Sequence, residues 1–418
     1  METGLTRKAI ISIFLLIIIS RAALAFTGYI GINLFASYTE PAVYENQAPG
    51  VIPETAMKLP HLLKETEGFK LSHIATFDSY LYLKIATQGY DKYAIDEPHP
   101  PANWVFFPLF PLLLYASGAI VGLFAQVDSA ILGMLLSNLL FCLSLIYVYA
   151  LSLKHGLNER QARTVLILML LYPTSVFYSL PYTESLFLLL SAASIYYATD
   201  KRYALAFLAA SLSTVTRVPG FINLFFVVGT VVLHEGFPLT KRYIKPVLYG
   251  LLSLVPMGLY LLYMKYLTGD FLAPFHEQSL SWYRYTAAPF TNYVNYFDKP
   301  YFMAPGGWDN GLIAFVVSTA VFIVYLTYLG VNGKNMIRQP HRLLLWVYGA
   351  LLIVIPFSSQ PWYLASVVRY MMVCIPFYLY LVKLTANREN VLFAYQIFFA
   401  CLNVITTIGF FNGYSFMA

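Results

Sequence analysis

The chain has 418 residues, of which 59% are hydrophobic and only 11% are charged, and its mean hydropathy is +0.64. Soluble domains carry about 25% charged residues and disordered chains are poor in apolar ones, so both classes are excluded. The formal charge of +6 comes without a basic run or a stacking motif, which argues against a nucleic-acid partner. Several apolar stretches reach the roughly 18 residues of a spanning helix, which predicts an all-α polytopic membrane protein.

The first apolar segment, at about 9–35, follows Arg7 and Lys8. It is too long for the apolar part of a signal peptide, so we interpret it as an uncleaved first span. Ten later spans are predicted at about 128–153, 163–180, 186–199, 203–217, 218–234, 246–266, 311–331, 343–357, 368–384 and 391–411.

The segment 105–125 is also apolar, but Pro108 and Pro111 interrupt its start and favour an interfacial or re-entrant path. If this segment does not cross, Arg7, Lys8 and the basic residues of five later loops all face the cytoplasm. These loops and the N-terminus hold 15 of the 26 Lys and Arg residues, as the positive-inside rule requires. The sequence thus predicts about eleven spans, with the N-terminus inside and the C-terminus outside.

Two large segments, 36–127 and 267–310, then face the extracytoplasmic side of a single domain that covers residues 1–418. Within the first loop, 54–70 alternates apolar and charged residues as an interfacial helix does. The chain has no Asn-x-Ser/Thr sequon, which favours a prokaryotic plasma membrane over the endoplasmic reticulum.

The stretch from Phe77 to Tyr90 predicts a short helix, because Phe77, Leu81 and Ile85 recur at helical spacing and Gly89 can end it. Asp78 lies at its start, with Tyr82 one turn later on the same face. Taken alone, Asp78 fits an N-cap as well as a general base at the membrane surface.

Further polar and aromatic motifs follow in chain order. They are Asn103–Leu113 (NWVFFPLFPLL), Tyr172–Ser185 (YPTSVFYSLPYTES), Thr216–Gly220 (TRVPG), Gln278–Arg284 (QSLSWYR) and Arg369-Tyr370 with Pro376. From about residue 74 to 380, this ordered set resembles the PIG-V-like family of GPI mannosyltransferase II and its prokaryotic relatives, which are GT-C glycosyltransferases. Phe77 stands where that family usually has Trp.

The resemblance implies a GT-C fold and an inverting transfer of a hexose, with mannose expected. The sugar would pass from a polyprenyl-phosphate or dolichyl-phosphate donor to a hydroxyl of a glycolipid or glycan, on the extracytoplasmic face. The resemblance favours Asp78 as the general base. The transferred sugar and the acceptor remain open.

Three arginines lie at outer span ends or in outer loops, and guanidinium groups bind phosphate in a bidentate manner. We therefore predict that Arg217, Arg284 and Arg369 bind the donor phosphate, with snorkelling or pairing to Glu184 or Glu277 as the alternative. Candidate sugar or acceptor contacts are Tyr82, Tyr182, Glu184, Gln278 and Trp282. Gln278 and Trp282 have i, i+4 spacing, which predicts that they line an acceptor groove together from one helix face. Helix capping or interface anchoring would explain the same residues without a substrate.

The seven histidines show no metal-ligand spacing, so the sequence predicts neither a metal nor a cofactor beyond the donor itself. Membrane lipids are expected partners, and an accessory membrane subunit is left open. Two other functions remain. One is a pentosyl or aminosugar transferase of another GT-C branch that acts on lipid, polysaccharide or protein, and the other is a sugar transporter or lipid flippase.

Overall fold

The computed structural model describes residues 6–35, 68–237, 241–282, 284–298, 311–360, 364 and 366–414. Its α-helices are α1 (Arg7–Leu34), α2 (Leu71–Ile74), α3 (Asp78–Gln88), α4 (Leu109–Val121), α5 (Ser129–Lys154), α6 (Glu159–Leu171), α7 (Glu184–Thr199), α8 (Tyr203–Thr214), α9 (Gly220–Glu235), α10 (Ile244–Leu252), α11 (Val255–Thr268), α12 (Ala273–Leu280), α13 (Thr291–Asp298), α14 (Leu312–Ile337), α15 (Pro340–Val354), α16 (Val367–Met371), α17 (Ile375–Leu384) and α18 (Glu389–Phe411). Two short strands, β1 (Tyr285–Thr286) and β2 (Ser359–Gln360), pair antiparallel.

Helix starts follow local sequence signals. The Asp128 side chain accepts a hydrogen bond from the Ala130 N–H at the start of α5. Asn158 and Gln161 form a reciprocal capping box at the start of α6. These caps fix where two of the apolar helices begin, and hence where the loops between them lie.

Among the described residues, six helical segments are long and apolar enough to cross a membrane: Arg7–Leu34, Ser129–Lys154, Lys241–Thr268, Leu312–Ile337, Pro340–Phe357 and Glu389–Phe411. Shorter apolar helices, among them α8, α9 and α17, pack between them. The predicted all-α, multi-pass class is therefore confirmed, whereas the count of eleven crossings stays a prediction.

The structure interrupts several segments that were predicted as continuous spans. The segment 163–180 breaks where α6 ends at Leu171, because Pro173 follows. The segment 368–384 breaks between α16 and α17, which begins at Ile375. Helix α4 begins after Pro108 but contains Pro111, and its 13 residues reach only about 20 Å. The interfacial or re-entrant path of 105–125 stays a prediction. Most of the predicted interfacial segment 54–70 lies outside the described residues.

The centre of the bundle joins α7, α8, α9 and α15 through one buried polar network. Asn223 donates hydrogen bonds to the hydroxyls of Ser191 and Ser213, at 3.0 and 2.9 Å. Tyr348 donates in turn to the Asn223 carbonyl oxygen at 2.9 Å. Because buried polar groups are costly unless paired, this network fixes the relative positions of the four helices.

The connection between α8 and α9 is unusually tight at Gly220. A Cβ atom at this position would collide with the Ser213 carbonyl oxygen, so only glycine fits. The glycine of the Thr216–Gly220 motif thus has a packing reason: it lets the chain turn sharply just after Arg217. The turn sets the position of Arg217 at one end of the bundle.

Candidate functional site

Asp78 lies at the start of α3, in contact with a residue almost 300 positions away. Its Oδ2 atom accepts a hydrogen bond from Nη2 of Arg369 at 2.8 Å. Asp78 is the first helical residue and Phe77 occupies the cap position, with φ at +52°. The carboxylate therefore forms an ion pair in place of a side-chain N-cap. Its side chain is 26% exposed, so a substrate hydroxyl can reach the carboxylate.

Glu184 joins two of the predicted phosphate-binding arginines. Its Oε1 atom lies 2.6 Å from Nη1 of Arg217 and 3.4 Å from Nε of Arg369. As the first residue of α7, the carboxylate also faces the positive end of the helix dipole. Glu184 is only 1% exposed, so its charge is stabilised by these arginines and the helix terminus instead of water.

Arg369 is the most buried cation of the cluster, with 4% exposure. Its guanidinium lies 5.3 Å from the ring centroids of both Phe177 and Tyr182. Its Nη1 atom has no hydrogen-bond partner in the described part of the chain. A buried, unpartnered N–H group is a donor that an anionic ligand can use.

Tyr370 places its ring among all three predicted phosphate-binding arginines. The guanidinium carbons of Arg217, Arg369 and Arg284 lie 4.8, 5.4 and 5.6 Å from the ring centroid. Nη1 of Arg284 also donates to the Tyr370 hydroxyl at 3.2 Å. Sequence reasoning missed this residue, although Tyr370 directly follows Arg369 in the motif. The structure thus brings the three arginines around one aromatic ring.

The two candidate sugar-binding tyrosines lie beside this cluster and are buried. The Tyr82 hydroxyl is 3.5 Å from Oγ1 of Thr183, and the Tyr182 hydroxyl donates to the Thr76 carbonyl at 3.3 Å. Burial raises the pKa of both tyrosines, so both hydroxyls stay protonated at neutral pH. Their rings lie 6.4 Å apart, which links α3 to the start of α7.

The predicted acceptor residues Gln278 and Trp282 do not share one helix face. Helix α12 ends at Leu280, so Trp282 lies beyond it and the expected helical spacing is wrong. The Trp282 indole N–H donates to the Ala102 carbonyl at 3.1 Å, while the Gln278 carbonyl accepts from the Arg284 N–H at 2.7 Å. Both residues therefore hold the segment after α12 in place, and Trp282 attaches it to the segment around Ala102.

Glu277 reinforces this attachment and was considered in the sequence only as an arginine partner. The side chain is fully buried, and its Oε1 atom accepts a hydrogen bond from the Ala102 N–H at 2.8 Å. Its Oε2 atom lies 3.8 Å from Nε2 of His99. The buried carboxylate therefore anchors the segment around Ala102 to α12, close to the segment that carries Arg284.

Lys84 points away from the cluster, although it lies on the same helix as Asp78. Its Nζ atom pairs with Oδ1 of Asp91 at 2.6 Å, and this hydrogen bond raises the pKa of Lys84. Within the described residues, no group of three or more His, Cys, Asp or Glu side chains is arranged to hold a metal ion. The expectation of a metal-free site stays a prediction.

Comparison with solved structures gives matches of low sequence identity. An oligosaccharyltransferase from Archaeoglobus fulgidus, in complex with Zn and sulfate, matches with a TM-score of 0.45 and 12% identity over 83% of this chain and 49% of its own. The same organism's AglB, in complex with an inhibitory peptide and a dolichol-phosphate, matches with a TM-score of 0.46 and 11% identity, over 96% of this chain and 56% of its own.

ArnT from Cupriavidus metallidurans, bound to undecaprenyl phosphate, matches with a TM-score of 0.47 and 12% identity over 94% of this chain and 75% of its own. The chain therefore spans about half the length of the archaeal oligosaccharyltransferase chains that it matches. No curated protein sequence matches the chain.

A family model confirms the resemblance drawn from the motifs. The matched range begins well before Asp78 and ends at residue 298, so Arg369 and Tyr370 lie outside it. Asp78, Glu184, Arg217 and Arg284 lie inside it. Since the model for mannosyltransferase (PIG-V) matches residues 32–298, more than half of the chain, the protein belongs to this family of membrane glycosyltransferases.

Proposed function

We propose that this protein is an inverting mannosyltransferase that uses a polyprenyl-phosphate sugar as donor and a glycolipid or glycan hydroxyl as acceptor. One observation carries the proposal: Asp78 and Arg369 are 2.8 Å apart, although 291 residues separate them. A carboxylate that can accept a proton thus lies beside a cation that can bind phosphate. Family membership supports glycosyl transfer as the reaction class. The contact supports a pairing of proton acceptor and phosphate-binding cation within one site.

Asp78 acts as the general base in this proposal. The acceptor hydroxyl attacks the anomeric carbon, Asp78 takes its proton, and the bond from that carbon to the phosphate oxygen breaks. Attack on the face opposite the phosphate inverts the anomeric centre. The partial exposure of Asp78 supports this role, because the carboxylate is reachable while Arg369 is held behind it.

The arginine cluster stabilises the phosphate as it leaves with increasing negative charge. Arg217, Arg284 and Arg369 supply three positive charges against the two carboxylates of Asp78 and Glu184, which leaves the cluster at +1. The buried Nη1 atom of Arg369, which has no hydrogen-bond partner in the described part of the chain, is a donor that a phosphate oxygen can use. The chemistry needs no metal to bridge phosphates, because the donor carries only one.

The proposed site faces the extracytoplasmic side. Glu184 begins α7 within the cluster, and the helix ends at Thr199, just before the basic pair Lys201 and Arg202. The cluster and this basic pair therefore lie at opposite ends of the bundle. Basic loops favour the cytoplasm, which supports the outward orientation of the cluster.

The test is sugar transfer in vitro by the purified protein, with polyprenyl-phosphate mannose as donor and extracted glycolipids as acceptors. Removing a general base typically lowers a rate by about 10²- to 10⁴-fold, and we expect this loss for Asp78→Asn. The matched control is Asp200→Asn, since Asp200 pairs with Lys154 at the opposite end of the bundle. Wild-type transfer by the Asp78→Asn variant would show that another group is the base.

The same assay separates the remaining alternatives. Pentosyl-phosphate and aminosugar-phosphate donors, offered in competition with mannosyl-phosphate, identify the sugar by the ratio of their kcat/KM values. Unchanged activity in EDTA supports metal-free transfer, and a loss restored by Mn²⁺ would contradict it. Movement of the intact donor across vesicles without transfer would support a flippase instead.

A further inference from the structure

A second group of cations lies at the other end of the bundle, away from the glycosyltransferase site. Lys201 and Arg202 follow α7, while Arg242 and Lys245 lie at the start of α10. Together with Pro246 and Tyr249 they line a cavity of about 480 Å³, which we call the basic pocket. Helix α7 has 16 residues, so about 24 Å of helix separates this pocket from Glu184.

The protein neutralises only part of the positive charge of the basic pocket. All four cations are exposed, and none forms an ion pair in the part of the chain that the structure describes. Two carboxylates lie nearby in sequence or space. Asp200 is neutralised in an ion pair, whereas Glu235 keeps its charge and offsets one of the four cations. Asp200 pairs with Lys154, and Glu235 accepts a hydrogen bond from the Tyr203 hydroxyl at 2.9 Å.

The start of α8 adds to this charge. Arg202 occupies the N-cap position of α8 and makes no side-chain hydrogen bond to the first turn. The first residues of the helix, Tyr203 and Ala204, line the same cavity. The N–H groups of a first helical turn attract anions, and phosphate binds such termini readily. Four cations and a helix terminus thus converge on one cavity, which fits a phosphate group.

The surface next to the pocket is apolar and exposed. Along α10, Ile244, Val247, Leu248 and Leu251 recur at helical spacing, and each is more than half exposed. In a membrane protein such a stripe faces acyl chains. Lys245 and Tyr249 of the same helix line the pocket. A ligand with a phosphate headgroup and an apolar tail would therefore contact both surfaces at once.

We propose that the basic pocket binds the phosphate headgroup of an anionic phospholipid, with its acyl chains along the exposed face of α10. Basic pockets between membrane helices on the cytoplasmic side are suited to anionic headgroups. The inference is independent of sugar transfer, since it uses none of the residues of the glycosyltransferase site. The ligand is a structural lipid held at the opposite membrane face.

The test measures lipid retention and thermal stabilisation of the full chain in detergent, titrated with phosphatidylglycerol or phosphatidylcholine. The pocket variant is Arg242→Gln with Lys245→Gln. The matched control, Lys334→Gln with Arg338→Gln, removes two exposed cations outside the pocket. The control lies at the same end, because His341 of the following helix contacts His234 at the end of α9, at 4.7 Å between ring centroids.

We expect the pocket variant to need about tenfold more phosphatidylglycerol for half-maximal stabilisation, because each cation near an anionic headgroup contributes several-fold to binding. The control should stay within about twofold of wild type, and Arg242→Lys with Lys245→Arg should retain binding. Size-exclusion profiles establish that each variant is folded. Equal losses in pocket and control variants, or no loss in either, would overturn the proposal. Equal stabilisation of the wild type by inorganic phosphate, or by phosphatidylcholine, would also overturn it.

Discussion

The cations near the two ends of α7 differ in their exposure and in their ion pairing. At the start, Arg217 and Arg369 are paired with carboxylates and held against aromatic rings. Beyond the end, Lys201 and Arg202 are exposed and form no ion pair among the described residues. Buried charges are tolerated only when paired, whereas exposed ones need no partner. The first arrangement fixes the geometry of the proposed transfer site, while the second leaves charge available for the lipid headgroup that we propose.

The largest effect is expected for Glu184→Gln, which leaves buried Arg369 and partly buried Arg217 with one counter-charge fewer. Breaking a buried ion pair typically costs about 3–5 kcal/mol in the free energy of unfolding. We expect a loss near the lower end of that range, because glutamine still accepts a hydrogen bond. Thermal and denaturant unfolding in detergent measure it.

The control for this change is Glu159→Gln, since Glu159 pairs with Arg163 at the surface and 58% of its side chain is exposed. Surface pairs of this kind contribute about 0–1 kcal/mol. If Glu159→Gln and Glu184→Gln destabilise the protein equally, the charge cluster at the start of α7 is not held as a buried unit.

Intermediate effects are expected at Tyr370, where two substitutions distinguish the contribution of the ring from that of the hydroxyl. Tyr370→Leu removes the cation–π contacts to three arginines, each of which is worth about 0.5–2 kcal/mol. Tyr370→Phe keeps the ring and removes only the hydroxyl that accepts from Arg284. We expect KM for the lipid-phosphate donor to rise by about tenfold in the first variant and by about twofold in the second. Steady-state kinetics give both values, and the opposite order would show that the hydroxyl, not the ring, positions the arginines.

The smallest effect is expected for Lys84→Gln. Lys84 pairs with Asp91 at 2.6 Å, but its side chain is 27% exposed and points away from the cluster. The free energy of unfolding should change by less than about 1 kcal/mol, and transfer should be unchanged. A tenfold loss of transfer at unchanged stability would place Lys84 in the site.

Many individual helices and residues of the candidate site were predictable from the sequence, but their contacts with one another were not. The apolar spacing of Phe77, Leu81 and Ile85 predicted α3, and the structure begins that helix at Asp78. Pro108 directly precedes the start of α4, whereas the predicted interfacial or re-entrant path of 105–125 is untested. The motif order also identified Asp78, Arg217, Arg284 and Arg369. Their substrate roles remain predictions, but each lies in the cluster or in contact with it.

The predictions that were wrong or missing concern residues whose contacts join distant parts of the sequence. Spacing placed Gln278 and Trp282 on one helix face, but α12 ends at Leu280 and the indole reaches Ala102. Tyr370 was part of a motif but was given no role, because its sequence neighbours do not show that three guanidiniums meet its ring. The spacing of residues within a motif reports only local backbone structure. These contacts form between segments that are distant in the sequence, so motif spacing does not predict them.

The sequence by itself determined that the chain is a helical membrane protein of the mannosyltransferase (PIG-V) family, because hydropathy and motif order are properties of the chain alone. Only the tertiary structure decided that Asp78 meets Arg369, that Glu184 joins two arginines, and that four cations converge on a cavity at the other end. The physical reason is that the energy of a charge depends on its burial and its partners. Both are set by the packing of helices that the sequence separates by up to 291 residues.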